Sequence, residues 1–155
     1  MLNEHLHQIL QAKCIGIIGK DLSLKIRMKE ICSLLHKEVG HYDWIGFYLK
    51  NGEKDELILG PFVGKETEHK LIPYGSGVCG RAAVEERTIL IEDVSKEENY
   101  LACNLSTKSE LVVPIIKNGV FIAQLDVDSN ELSAFTIRDK ILIQAICRRF
   151  AEEMD

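Results

Sequence analysis

The residues of this 155-residue chain best suited to chemistry are two of its five cysteines. Cys79 lies in Gly77-Val78-Cys79-Gly80, and Cys103 lies in Tyr100-Leu101-Ala102-Cys103-Asn104, within a polar stretch that also holds Asn99, Ser106 and Thr107. A thiol flanked by glycines sits where backbone can approach a ligand closely, and a thiol in a polar loop is placed for chemistry more than for packing. Cys79 also opens a predicted helix, whose positive end favours a thiolate and is expected to lower the thiol pKa. The chemistry these two residues offer is nucleophilic and redox thiol chemistry. Cys14, Cys32 and Cys147 stand among apolar residues at helical spacing and read as core.

A second group is acidic. Asp126 and Asp128 alternate with Leu125 and Val127, so both project from one face of a strand, and strands usually exclude Asp. Carboxylates inside a core hairpin are costly unless they serve a polar site; the plainer reading is a solvated strand end. Whether Glu110 joins them depends on register. If Asn118-Gly119 is a two-residue turn with Lys117 opposite Val120, unbroken pairing puts Glu110 opposite Val127, on the wrong face. A three-residue loop, Lys117 to Gly119, with Ile116 opposite Val120, or a bulge of one residue, plausible near Pro114, would set Glu110 opposite Asp126 and gather all three carboxylates, and this shifted register is expected. Trp44 and Tyr48 alternate on one face of an earlier strand, where they either wall a pocket or pack as ordinary core aromatics.

The elements that must position these residues follow from periodicity. Leu2, Leu6, Ile9 and Leu10 share one helical face, and Leu24, Met28, Ile31 and Leu35 mark a second helix ending at Gly40. Tyr42 to Leu49 and Glu56 to Val63 predict a hairpin around Asn51-Gly52, with Pro61 favouring an edge or strand end. His69 to Ile72 predicts a short strand, Val78 to Glu86 a short helix, and Thr88 to Glu92 another strand. Residues 93–108 form a long polar loop of the kind that compact domains keep for function. Leu111 to Ile116 and Val120 to Asp128 are the clearest hairpin, and Thr136 with Asp139 forms a capping box for a last helix carrying Ile141, Leu142, Ala145, Ile146 and Phe150. The order gives an α+β class: one domain over 1–155, an antiparallel sheet with long helices on one face and a ligand pocket under loops on the other.

Composition narrows the function. With 46% hydrophobic residues the chain can bury a sizeable core, and a net charge of -5 with scattered Lys and Arg leaves no electrostatic footprint for nucleic acid. The apolar runs are far shorter than a membrane span, and the N-terminus lacks the pattern of a signal peptide, so a cytoplasmic protein without a membrane partner is expected. Five cysteines in a reducing compartment read as core or reactive thiols. No CxxC or HxxxH pair supports a metal, so none is expected.

The series Asp43-Trp44-Ile45-Gly46-Phe47-Tyr48, Leu59-Gly60-Pro61-Phe62, Gly77-Val78-Cys79-Gly80, Ala102-Cys103, Ser109-Glu110-Leu111-Val112-Val113-Pro114 and Leu125-Asp126-Val127-Asp128 resembles the free methionine-(R)-sulfoxide reductases, single GAF domains, in order and spacing. The resemblance implies that Cys103 is the nucleophile toward the sulfoxide sulfur, and that Glu110, Asp126 and Asp128 hold the amino-acid substrate and hydrogen-bond its oxygen. It implies no cofactor beyond an external thiol reductant such as thioredoxin. The family's usual resolving cysteine falls at His69 here, and Asn104 stands where the family usually has Asp. Resolution by Cys79 through a Cys79–Cys103 disulfide, resolution by an external thiol, and loss of turnover with a retained pocket all stay open. The alternative is a stand-alone GAF module that binds a small ligand and signals, although the Asn-Lys-Phe-Asp-Glu signature of cyclic-nucleotide-binding GAF domains is absent. The sequence leaves open whether the protein is a homodimer.

Overall fold

The structure is a computed structural model that describes residues 1–100 and 105–155. Its three long helices start where short polar side chains cap them. The Asn3 side chain accepts from Leu6 N at 2.8 Å at the head of α1 (Glu4–Ile18), and Ser23 accepts from Ile26 N at the head of α2 (Leu24–Glu38). The predicted capping box of Thr136 and Asp139 opens α4 (Ile137–Glu153). A shorter helix, α3 (Gly77–Glu85), ends on Glu86 in the left-handed region.

Six strands form one antiparallel sheet: β1 (Trp44–Lys50), β2 (Glu56–Val63), β3 (Leu71–Pro73), β4 (Ile89–Ile91), β5 (Ser109–Lys117) and β6 (Val120–Ser129). Their order is β3-β2-β1-β6-β5-β4, so β2, β1, β6 and β5 lie inside it. Pro61 is not on an edge strand. It is nonetheless past the reach of β3, which pairs only with Glu56, Leu57 and Ile58, so its missing N–H leaves no gap in that ladder. The third strand begins two residues later than predicted, and the described part of residues 93–108 includes a 3-10 turn, Val94–Lys96.

One face of the sheet receives α1, α2 and α4. Leu10, Cys14, Ile18, Met28, Ile31, Leu35, Ile146 and Phe150 close on Ile45, Phe47, Leu111, Val113, Leu125 and Val127. The buried stripes are rotated from two of the predicted ones. In α1 it is His7, Leu10, Cys14 and Ile18 that face inward while Ile9 is exposed, and in α4 Ile143 and Cys147 take the place of the exposed Ile141. The opposite face is covered by α3, whose Val78, Ala82 and Ala83 pack with Trp44, Tyr48, Ile89, Ile91 and Val112.

The hairpin of β5 and β6 settles the register. Asn118 and Gly119 both have positive φ, 52° and 78°, as a two-residue turn whose twist matches the strands requires, and Lys117 pairs with Val120. A bulge then shifts the ladder between Ile115 and Ile116, because Ile122 of β6 has no partner between Phe121 and Ala123. The shift lies on β6 rather than at Pro114 and runs opposite to the expected direction: Glu110 pairs with Asp128, and Val112, not Glu110, pairs with Asp126. Either direction moves Glu110 by one residue, so the expected outcome survives and the three carboxylates share the face covered by α3.

On the helical side, a buried polar knot joins the start of α4 to the segment before β1. Asp139 Oδ1 accepts from Tyr42 Oη at 2.7 Å and lies 2.9 Å from His41 Nε2, while Oδ2 accepts from Thr136 N at 2.8 Å. Burial alone would raise the Asp139 pKa, but the His41, Thr136 and Tyr42 hydrogen bonds together outweigh it and hold the carboxyl below its usual value. A depressed folded pKa stabilises the fold above the unfolded value of about 4, and that contribution is lost as pH falls through the folded value. Asp139→Asn is expected to cost roughly 1–3 kcal/mol at neutral pH, with the difference from wild type shrinking below about pH 4. Urea unfolding at several pH values measures this; a difference independent of pH would reject the charged network.

Candidate active site

The site is built from rows of side chains running across the sheet. In one row Ile91, Glu110, Asp128 and Trp44 are successive partners on β4, β5, β6 and β1; in the next, Ile89, Val112, Asp126 and Gly46 are. Pro114, Gln124 and Tyr48 make the third. Residues directly opposite share a face, so the carboxylates sit side by side, flanked by aromatics on β1 and aliphatics on β4. Glu110, Asp126 and Asp128 are each at most 2% exposed.

Helix α3 lies over these rows and delivers Cys79. Its approach depends on Gly80, where an added Cβ would fall 2.7 Å from the Pro73 carbonyl oxygen. Cys79 Sγ comes within 3.8 Å of Glu110 Oε2, donating to it, and Gln124 Nε2 donates to the Cys79 carbonyl at 3.2 Å. One donor atom each from Cys79, Glu110 and Asp126 fall within 4.8 Å of one another.

The electrostatics reverse one expectation. Cys79 is in the first turn of α3, yet burial, and then the neighbouring carboxylates of Asp126, Glu110 and Asp128, push its pKa well above the ordinary thiol value. A helix end contributes about half a charge from outside the site, whereas several acidic groups lie close by in a buried setting. Cys79 is therefore a neutral thiol at neutral pH. Burial first, and then the Asp126 and Asp128 charges, likewise hold Glu110 well above the carboxylate range, so it keeps a proton.

Both predicted aromatics line this face. Trp44 and Tyr48 are fully buried, with ring centroids 6.4 Å apart, and Trp44 also stacks on Phe62 at 5.5 Å. Trp44 Nε1 donates to the Lys65 carbonyl and Tyr48 Oη to the His69 carbonyl, at 3.0 and 2.8 Å. The indole fits because Gly46 and Gly64 leave room: a Cβ at either would come within 2.5 Å of it. His69 is half-buried in the connection between β2 and β3, with its backbone tied to the aromatic wall.

Cys103 and Asn104, together with Leu101 and Ala102, lie outside the described residues. The loop just before them is anchored by Asn99, whose Oδ1 accepts from Gly77 N at 3.2 Å and whose Nδ2 donates to the Gly75 carbonyl at 2.7 Å. Asn99 thus caps α3 from a distance, a task its own Ser76 does not perform. Neither this role nor that of Gln124 has a local sequence signal, because each bridges segments more than twenty residues apart. Cys14, Cys32 and Cys147 are buried on the helical side; burial pushes Cys14 up to about 12 and raises the other two further. As expected for core residues, they stand apart from the site.

Comparison with known proteins agrees with this geometry. The GAF domain pattern matches residues 23–154. GAF domain-containing protein A of Dictyostelium discoideum is 42% identical over 111 residues, 71% of this chain and 69% of that protein. The free methionine-R-sulfoxide reductase of Escherichia coli is 35% identical over 125 residues, covering 81% and 74% of the two chains. Among solved structures, the free methionine-R-sulfoxide reductase of Neisseria meningitidis in complex with its substrate superposes with a TM-score of 0.91 at 27% identity, over 99% of this chain and 92% of that one. The chain belongs to the GAF domain family, and within it to the group of the free methionine-R-sulfoxide reductases.

The raised Glu110 pKa sets the sign of one prediction. A carboxyl that binds its proton more tightly when folded contributes stability fully present below its unfolded pKa of about 4.3, and that stability declines as pH rises toward the folded value. Glu110→Gln removes the decline, so at pH 7 the variant is expected to melt above wild type in the absence of ligand, with the gap closing near pH 4. Thermal melts across that range test it; a variant less stable than wild type at pH 7 would show that Glu110 is ionised and paired.

Proposed function

We propose that this protein reduces free L-methionine-(R)-sulfoxide to methionine by thiol chemistry. The observation that carries the reading is the buried trio Glu110, Asp126 and Asp128 beside the Cys79 thiol, on a face walled by Trp44 and Tyr48, in a chain related to proteins of that activity. A free amino acid suits such a site: its ammonium compensates buried carboxylates that would otherwise be costly, and its thioether end packs on aromatic rings.

In the proposed sequence, Asp126 and Asp128 take the ammonium and protonated Glu110 donates to the sulfoxide oxygen. Cys103 gives its thiol proton to solvent and attacks the sulfur as thiolate; the S=O bond breaks as Glu110 gives its proton to the oxygen, the hydroxyl passes to Cys103 as sulfenic acid, and methionine leaves with its sulfur reduced by two electrons. Glu110, now a carboxylate 3.8 Å from Cys79 Sγ, takes the thiol proton. Cys79 then attacks the Cys103 sulfenic acid, forming the disulfide and releasing the oxygen as water. A dithiol reductant of the thioredoxin class in a cytoplasmic setting reduces that disulfide, and no other cofactor takes part. Position 69, a histidine here, supplies no thiol.

Three measurements test this. Methionine release from the free sulfoxide with dithiothreitol is expected in wild type and is expected to fall to background in Cys103→Ser. With Asp126→Asn, KM should rise at least tenfold, about 1.4 kcal/mol of lost substrate binding, while Tm changes little; an unchanged KM removes Asp126 from the ammonium site. Peptide mapping after one turnover without reductant should recover Cys79 joined to Cys103 and Cys14, Cys32 and Cys147 as free thiols. Recovery of Cys103 unpaired, with turnover retained in Cys79→Ser, would assign resolution to the external thiol.

A further inference from the structure

The same face holds an arrangement that an amino-acid substrate does not use in full. Cys79, Glu110 and Asp126 each present a donor atom within 4.8 Å of the other two, from α3, β5 and β6. All three are buried, and Glu110, 2% exposed, has an Oε1 atom without a hydrogen-bond partner among the described residues even though its Oε2 accepts from Cys79. A substrate ammonium can bond to the carboxylates but gains nothing from sulfur. A thiolate with two carboxylates is instead the donor set of a borderline-to-soft divalent cation, and it excludes magnesium and calcium, which take oxygen alone.

We propose that Cys79, Glu110 and Asp126 form a binding site for a zinc-class divalent cation, Zn2+ or its spectroscopic stand-in Cd2+. Bonds of about 2.0–2.3 Å to such a metal set tetrahedral donors roughly 3.5 Å apart, so a contraction of about an ångström closes the site. Binding is not a redox step: the metal–sulfur bond replaces the S–H bond, the metal displaces the proton that Glu110 holds, both protons pass to buffer, and Cys79 is held as thiolate and withdrawn from disulfide formation. The expectation from sequence that no metal binds rested on the lack of local ligand pairs; here the ligands are 31 and 16 residues apart (Cys79 to Glu110 to Asp126) and meet only through the fold.

The test uses the full chain reduced with a non-thiol phosphine and titrated with Cd2+, following the ultraviolet sulfur-to-metal charge-transfer band, with Mg2+ as control. One equivalent is expected to develop the band in wild type, in Cys103→Ser and in Cys32→Ser, and Mg2+ to give none. Cys79→Ser should abolish the band, and Asp126→Asn should weaken binding at least tenfold while Cys79 is intact. A band that persists in Cys79→Ser, that vanishes in Cys103→Ser, or that is absent from folded wild type at millimolar Cd2+ overturns the proposal. The band is read without sulfoxide or turnover, so its outcome is separate from that of the proposed reductase activity.

Discussion

Burying three carboxylates on one face of a sheet is the constraint to which the rest of the structure answers. Like charges in a low-dielectric setting cannot all ionise, so the cluster keeps a proton on Glu110 and raises the Cys79 thiol beside it. The arrangement gathers protons and repels anions, and it is relieved by whatever brings positive charge into it. A reaction that must protonate a departing oxygen and then deprotonate a thiol finds both partners in one group, Glu110.

That cost is set against an apolar core on the other face of the sheet. The helical side of the sheet has a dense apolar core, and its one buried carboxylate, Asp139, is fully engaged by His41, Tyr42 and Thr136. The two faces treat the same chemical group in opposite ways. Asp139, surrounded by donors, is held ionised and contributes to folding; Glu110, surrounded by acids, is held neutral and is available to a ligand.

Most of the architecture was legible in local patterns. The Asn-Gly turn, the Thr136–Asp139 capping box and the Asp126–Asp128 alternation each encode their geometry within a few residues, and the structure follows them. The bulge at Ile122 has no such mark: an isoleucine without a partner looks like any other strand residue, so the direction of the register shift could be seen only in the ladder. The same limit explains Cys79. Its helix end was readable in the sequence, while the stronger field acting on it comes from β5 and β6, brought close by Gly80 and the tie from Asn99. Stripes in α1 and α4 were rotated because the sheet and neighbouring helices, not hydrophobicity alone, choose which apolar residues turn inward.

The fit of Trp44 between Gly46 and Gly64 has an optical consequence. It is the only tryptophan in the chain, its ring is fully buried, and its strand partner is Asp128. The excited state of an indole is more polar than its ground state, so its emission energy follows the electric field along the ring. Compensating the carboxylates next to it changes that field, while the glycine slot and the bond to Lys65 hold the ring's orientation. The fold thus contains a single built-in fluorophore beside its acidic cavity, and the colour of its emission reports the charge state of that cavity without any label.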